Sequence, residues 1–306
     1  MQNPLITIAI PVYNNEKTIR KTIDSCLDQQ TDIPYEILIV DDASEDSIPD
    51  ILASYTDEKI RVRTLTQRVP LIANHNVCLE NALGDYLLFC HADDKLEPHA
   101  IETIGSKLKE RNYPKKYLLW GHSMFRDYGL QLTKAGFHTN ELIAGEYAAL
   151  IPMHGGLTPS GSCYSRESFL ELGGFMHVDI MLAPSDITTM LHLALNGFRF
   201  EMMEEMIFIR KDASTMTRET NAGTFLEAYD DAYRNFILNT PPEEIYHLLA
   251  ISTVHIQPPY YFYYSLAQDS RFKKQIKSIL QRHLAAHPFE LKRKIVRLLL
   301  KRLYAN

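Results

Sequence analysis

The tetrapeptide His91-Ala92-Asp93-Asp94 places an imidazole and two carboxylates within four residues. That set is able to hold a hard divalent cation, and a cation so held could in turn bind a diphosphate. An isolated Asp-Asp reads first as a solvated turn, with an Asp capping the helix that follows, because turns favour Asp. The residues before it point elsewhere. Tyr86-Leu87-Leu88-Phe89-Cys90 is a short apolar run with the length of a buried strand. Ligands in open α/β sheets collect at the carboxyl ends of such strands.

The elements able to position this group lie upstream. Leu5 to Ile10 is β-rich and stops at Pro11, while Ile19, Ile23, Cys26 and Leu27 recur at helical spacing between Glu16 and Leu27. Tyr35 to Val40 reads as a second strand ending in Asp41-Asp42, and Ser44 is placed to cap the next helix. Ile60 to Leu65 reads as a third strand, Ala73 to Ala82 as a helix, and Asp85 to Cys90 as the strand leading into the tetrapeptide. Strand and helix in alternation imply a largely parallel sheet. Pro11 to Asn14, Asp41-Asp42 and His91 to Asp94 should then share one edge, with carboxylates from two strands facing one crevice.

Other phosphate-binding architectures lack their marks. No Gly-x-Gly-x-x-Gly follows the first strand, and no Gly-x-x-x-x-Gly-Lys-Ser/Thr occurs. A nucleotidyltransferase on a similar sheet lacks the Gly-rich, cationic loop it needs.

At 306 residues, 45% hydrophobic and 10% aromatic, the chain has ample material for a core. Cys26, Cys78, Cys90 and Cys163 show no ligand spacing and read as reduced thiols of a cytosolic protein. No secretory signal is expected at the amino terminus, and no run approaches the ~18 apolar residues of a membrane span. Charge is uneven. Residues 271–306 hold eleven Lys or Arg against one acid, Glu290, which leaves the first 270 residues at −16 for a net charge of −6. From Phe289 to Leu303 the apolar residues fall at helical spacing between Lys292, Arg293, Lys294, Arg297, Lys301 and Arg302. This basic amphipathic helix suits either an anionic membrane surface, through residues 288–306, or packing on its own domain. An acidic remainder argues against nucleic acid.

Five ordered motifs carry a resemblance: Ile8-Ala9-Ile10-Pro11-Val12-Tyr13-Asn14, Val40-Asp41-Asp42-Ala43-Ser44, Asn74-His75-Asn76, Ala82-Leu83-Gly84-Asp85-Tyr86 and His91-Ala92-Asp93-Asp94. Together they resemble the family 2 glycosyltransferases with the GT-A fold. The likeness continues through Gly161 to Arg166, Leu172 to Phe175, Ser185-Asp186 and Asn196-Gly197 to about residue 220. It implies an α/β, Rossmann-like GT-A domain over 1–220, with a nucleotide-sugar half (1–125) and an acceptor half (126–220), followed by a helical region over 221–306.

The resemblance also implies roles. Pro11, Tyr13, Asn14 and Glu16 would surround the base of the donor, and Asp41 would accept a hydrogen bond from it, with Asp42 beside it. Asn74 and Asn76 would lie beneath the donor, alongside His91 and Ala92. Asp93 would bind Mn2+ or Mg2+ with support from Asp94. Asp186 would be the base that takes a proton from the acceptor hydroxyl, with inversion at the anomeric carbon. The implied activity is transfer of one sugar from a UDP-linked donor to a glycan or lipid-linked acceptor in cell-surface polysaccharide synthesis, at the cytoplasmic face of a membrane. Single addition follows from the lack of a processive Gln-x-x-Arg-Trp, since Trp120 is the sole Trp.

Three positions depart from the family pattern. His91 stands where the first Asp of Asp-x-Asp is usual, Ser185 where a Glu precedes the base, and Asp212 where a His follows an Arg by two residues. A redistributed metal shell of Asp93, Asp212 and His91 is one reading. The alternative is a degenerate relative that binds a nucleotide sugar or a partner without turnover.

Overall fold

The computed structural model describes residues 3–123, 140–143, 148–149, 151, 159–176, 185–210, 222–252, 260–286 and 290–304. Strands β1 (Ile6–Val12), β2 (Tyr35–Asp41), β3 (Ile60–Thr64) and β4 (Tyr86–Phe89) are parallel, in the spatial order β3-β2-β1-β4. Helices α1 (Ile19–Leu27), α2 (Ile48–Ala53) and α3 (Leu71–Asn81) connect them. The expected alternation is therefore present, with small boundary shifts.

Two of those shifts have clear causes. β1 runs through Pro11 instead of stopping at it. Ala9 O accepts from Cys90 N on the β4 side and Val12 O accepts from Asp42 N on the β2 side. By this alternation the N–H that Pro11 lacks would point toward β4, which has already ended at Phe89, level with Ala9. Ser44 is not a helix cap, because α2 starts only at Ile48; its Oγ instead accepts a hydrogen bond from Asn14 N at 3.0 Å.

Beyond β4 the sheet becomes mixed. β8 (Ser162–Ser165) lies antiparallel between β4 and β6 (Tyr117–Ser123), β9 (Arg199–Arg210) pairs parallel with β6, and β5 (Asp94–Leu96) and β7 (Leu142–Ile143) pair antiparallel with β9. The segment after the tetrapeptide is thus a short strand, and Asp94 opens it instead of capping a helix. Helix α4 (Ala100–Glu110) follows with His99 at its N-cap.

Both faces of the parallel half are covered, which is why its strands read as nearly continuous apolar runs. Ile6, Ile8, Ile10 and Val12 face one core with Ile19, Ile23, Ile101 and Ile104, whereas Ala9, Leu87 and Phe89 face the other. Close packing is extreme at Gly84, where an added Cβ would lie 2.6 Å from Thr7 N and 2.8 Å from Ile6 C. Only glycine lets the turn into β4 lie this close to β1.

The second core also takes in α5 (Arg166–Glu171), α6 (Ser185–Leu195) and the carboxyl-terminal helices α7 (Ala222–Asn239), α8 (Pro242–Ser252), α9 (Tyr260–Leu266), α10 (Lys273–Ala286) and α11 (Glu290–Tyr304). Phe262 and Tyr263 of α9 are buried in it. In α11, Val296 is buried, and Leu299, Leu300, Leu303 and Tyr304 pack against the same cluster. Tyr304 Oη donates to Lys273 O at 2.8 Å. These residues of the stripe are thus used within the chain, while Arg297, Leu298 and Lys301 are exposed. No helix among the described residues is long and apolar enough to cross a membrane.

Candidate functional site

Because β1, β2 and β4 are parallel, with Val12 level with Asp41 and Ala9 level with Phe89, their carboxyl ends open on one edge. Three loops meet there. Asn14, held at φ 49°, donates its N–H to Ser44 Oγ and accepts from Glu45 N at 2.8 Å. Glu16 Oε2 accepts from Ser47 N, and this contact with Ser47 holds its carboxyl below the ordinary range. Asn14 and Glu16 therefore splice the loop after β1 to the loop after β2.

Asp41 is fully buried at the end of β2. Its Oδ1 accepts from Ser44 N at 3.0 Å, while its Oδ2 is buried with no hydrogen-bond partner. Asn74 on α3 donates to Val40 O at 3.4 Å and leaves its Oδ1 in the same condition. An unsatisfied buried acceptor costs about 1–3 kcal/mol, so two at one sheet edge favour a ligand with N–H donors. Asp42 accepts from Val69 N at 2.8 Å. Burial raises its carboxyl above the usual range, against that hydrogen bond and the charge of Arg68. Arg68 itself lies over the Tyr13 ring, 4.0 Å from its centre. Pro11 is buried within β1. Sequence reading missed Arg68, since one cation in a loop carries no pattern.

The tetrapeptide is a turn, closed by Asp94 N donating to His91 O at 2.9 Å. It also has a donor set that fits a cation, because His91, Asp93 and Asp94 each offer one ligand atom and these atoms lie within 4.8 Å of one another. Two carboxylates and an imidazole suit a divalent transition ion. The turn is held from several sides. Thr22 on α1 lies 2.9 Å from Ala92 O and 2.7 Å from Asp94 O, sharing its hydroxyl proton between them, and His91 N donates to Ser160 Oγ at 3.1 Å. His91 also meets His75, with Nε2 to Nε2 at 3.1 Å. Asp212 lies outside the described residues.

Asn76 takes an indirect part. Its amide donates to Phe175 O at 3.0 Å and accepts from Phe175 N at 2.8 Å, tying α3 to the turn after α5. Gly174, at φ 75°, makes room for this clamp, since a Cβ there would lie 2.5 Å from Asn76 Oδ1. Asp186 sits in the first turn of α6, where its Oδ1 accepts from Ile187 N at 3.0 Å. Burial pushes the Tyr164 phenol of β8 up, and the Asp186 charge adds to the effect, so the two groups are electrostatic neighbours.

Residues 7–113 match the family model described as Glycosyl transferase family 2. The Bacillus subtilis protein named "Putative teichuronic acid biosynthesis glycosyltransferase TuaG" is 30% identical over 206 residues, 67% of this chain and 77% of that one. An uncharacterized Mycobacterium tuberculosis protein is 38% identical over 107 residues, and the match spans only 33% of its length. Among solved structures, S. aureus TarS 1-349 in complex with UDP-GlcNAc has a TM-score of 0.62 at 18% identity, over 92% of this chain and 81% of that one. The mannosyltransferase PcManGT from Pyrobaculum calidifontis, in complex with GDP-Man and Mn2+, has a TM-score of 0.58 at 18% identity, over 100% and 89%. These structural likenesses establish the GT-A fold: a mostly parallel, partly mixed sheet between helices, with a helical carboxyl-terminal part.

Proposed function

Because this chain belongs to the family 2 glycosyltransferases, we propose that it is a metal-dependent, inverting enzyme that moves one sugar from a UDP-linked donor to a glycan or lipid-linked acceptor. The observation that carries this reading is the meeting, at one sheet edge, of the unpartnered Asp41 Oδ2 with the ligand set of His91, Asp93 and Asp94. Asp41 would accept the imide N–H of uracil, and Tyr13 with Arg68 would flank the base. A bound Mn2+ or Mg2+ supplies positive charge that stabilises the departing nucleoside diphosphate. Asp186 would take the acceptor's hydroxyl proton as that oxygen bonds to the anomeric carbon. The bond from sugar to diphosphate breaks on the opposite face, its electron pair leaving with the nucleotide, which inverts the configuration. The UDP-GlcNAc complex of TarS and the Mn2+ complex of PcManGT support the donor class and the cation as those proteins use them.

Thermal unfolding with UDP- and GDP-sugars, with and without Mn2+, tests the donor, because a ligand of the native state raises the melting temperature. UDP-sugars should raise it most, and only with Mn2+ present. In Asp41→Asn an amide N–H would meet the N–H of the base, so nucleotide binding should weaken by about 2 kcal/mol, on the order of thirtyfold in Kd. A preference for GDP-sugars, or unchanged Kd in the variant, would refute the uracil assignment.

The exposed Arg297 and Lys301 support electrostatic attachment to an anionic membrane surface. Truncation would uncover the core that α11 seals, so charge reversal is the cleaner probe. The double substitution Arg297→Glu and Lys301→Glu should weaken co-sedimentation with phosphatidylserine vesicles about tenfold or more at low salt. Equal binding by both proteins would remove the membrane assignment.

A further inference from the structure

We propose that His75 is a positioning residue that sets the tautomer of His91, so that His91 presents Nδ1 to the cation held with Asp93 and Asp94. The proposal rests on the metal reading of that site given above.

His75 lies on α3 with its ring buried, and its Nδ1 stands 2.9 Å from Leu71 O. A carbonyl oxygen only accepts, so His75 Nδ1 carries the proton. The ring sits 5.0 Å from that of Phe89 and 5.4 Å from that of Phe175, centre to centre. A cationic ring enclosed by apolar groups would lose its solvation, so His75, with its Nδ1–H given to Leu71 O, is neutral and its Nε2 holds a lone pair. That Nε2 is 3.1 Å from His91 Nε2. A hydrogen bond between the two nitrogens then requires His91 to donate its Nε2–H. A neutral imidazole protonated at Nε2 has its lone pair at Nδ1, the nitrogen left to act as a ligand.

The surroundings keep the arrangement in place. His91 N donates to Ser160 Oγ, His91 O closes the turn to Asp94 N, and the two imidazoles meet edge to face at 84°. Histidine ligands commonly donate their second N–H to a carbonyl or carboxylate, which fixes ring and tautomer. Here the acceptor is a neutral imidazole, anchored in turn to the carbonyl of Leu71. The orienting contact is thus made without adding a negative charge beside Asp93 and Asp94. An imidazole nitrogen in the ligand set also favours Mn2+ or Co2+ over Mg2+.

Long-range proton–nitrogen NMR of the full, metal-free chain with 15N-labelled histidine reads both tautomers directly, and the His75→Gln and His91→Gln variants assign the signals. His75 should appear protonated at Nδ1 and His91 at Nε2. Mn2+ binding, followed by electron paramagnetic resonance, should weaken about ten- to hundredfold in His75→Phe. His75→Gln should recover much of that loss, because its Oε1 can accept from His91 Nε2–H. Circular dichroism and melting temperature verify folding of each variant. A wild-type His91 protonated at Nδ1 overturns the proposal, as does wild-type Mn2+ affinity in a folded His75→Phe protein. Failure of the wild type to bind Mn2+, with the tautomers as expected, instead overturns the metal reading on which the proposal rests.

Discussion

Replacing Asp93 with Asn is expected to lower Mn2+-dependent sugar transfer by on the order of 10³-fold while the protein stays folded. Asn keeps the volume and one acceptor oxygen but removes the charge that, with Asp94, offsets a divalent cation. Stabilisation of a departing diphosphate by a bound cation is worth several kcal/mol, and about 4 kcal/mol corresponds to 10³ in rate. Asp93 belongs to the turn, half-buried, whereas Asp94 is buried and opens β5 against Arg210 of β9. The equivalent change at Asp94 should therefore cost stability as well as activity. Release of nucleoside diphosphate measures the rate, and Mn2+ titration measures the ligand set. If Asp93→Asn binds Mn2+ and turns over like the wild type, the cation is not held there.

Asp186→Asn should reduce kcat by about 10²- to 10⁴-fold, the contribution typical of a positioned general base, with little change in donor affinity. The substitution isolates the chemistry. An Asn Oδ1 still accepts from Ile187 N, so the start of α6 is kept. Slow donor hydrolysis in Mn2+, compared between the two proteins, gives the same information without an identified acceptor. Comparable rates in both would remove Asp186 as the base. Tight nucleotide binding without turnover in either would favour a degenerate relative, in which His91 and Ser185 mark the loss.

The parts legible from sequence were those governed by local pattern. Apolar strands that alternate with helical spacing announced the parallel half, and parallel strands oblige their carboxyl ends to share an edge. Asp41, Asp93 and Asp94 could be singled out because each closes or follows such a strand. β8 escaped notice because Ser162-Cys163-Tyr164-Ser165 has no apolar run, and it is a strand through its antiparallel partners β4 and β6. Three residues of β5 are likewise a strand only by pairing with β9. Arg68 had no mark in its own segment, and His75, although inside the Asn74-His75-Asn76 motif, had nothing there to pair it with His91.

The tail divides the two kinds of information most clearly. Its spacing was enough to specify a basic amphipathic helix, but an apolar stripe fits a lipid surface and a protein core equally well. Packing decided for Val296, Leu299, Leu300 and Leu303, which join the cluster that also contains Phe272, Ile276 and Leu280. The same division holds at the site. Residue types and their order determined that carboxylates gather at the ends of β2 and β4. Only the tertiary structure decided that Asp41 keeps one oxygen unpartnered, that Arg68 covers Tyr13, and that His75 meets His91. Those are contacts between residues far apart in the chain, set by how α3 and the loop before it lie on the sheet, and no local pattern encodes them.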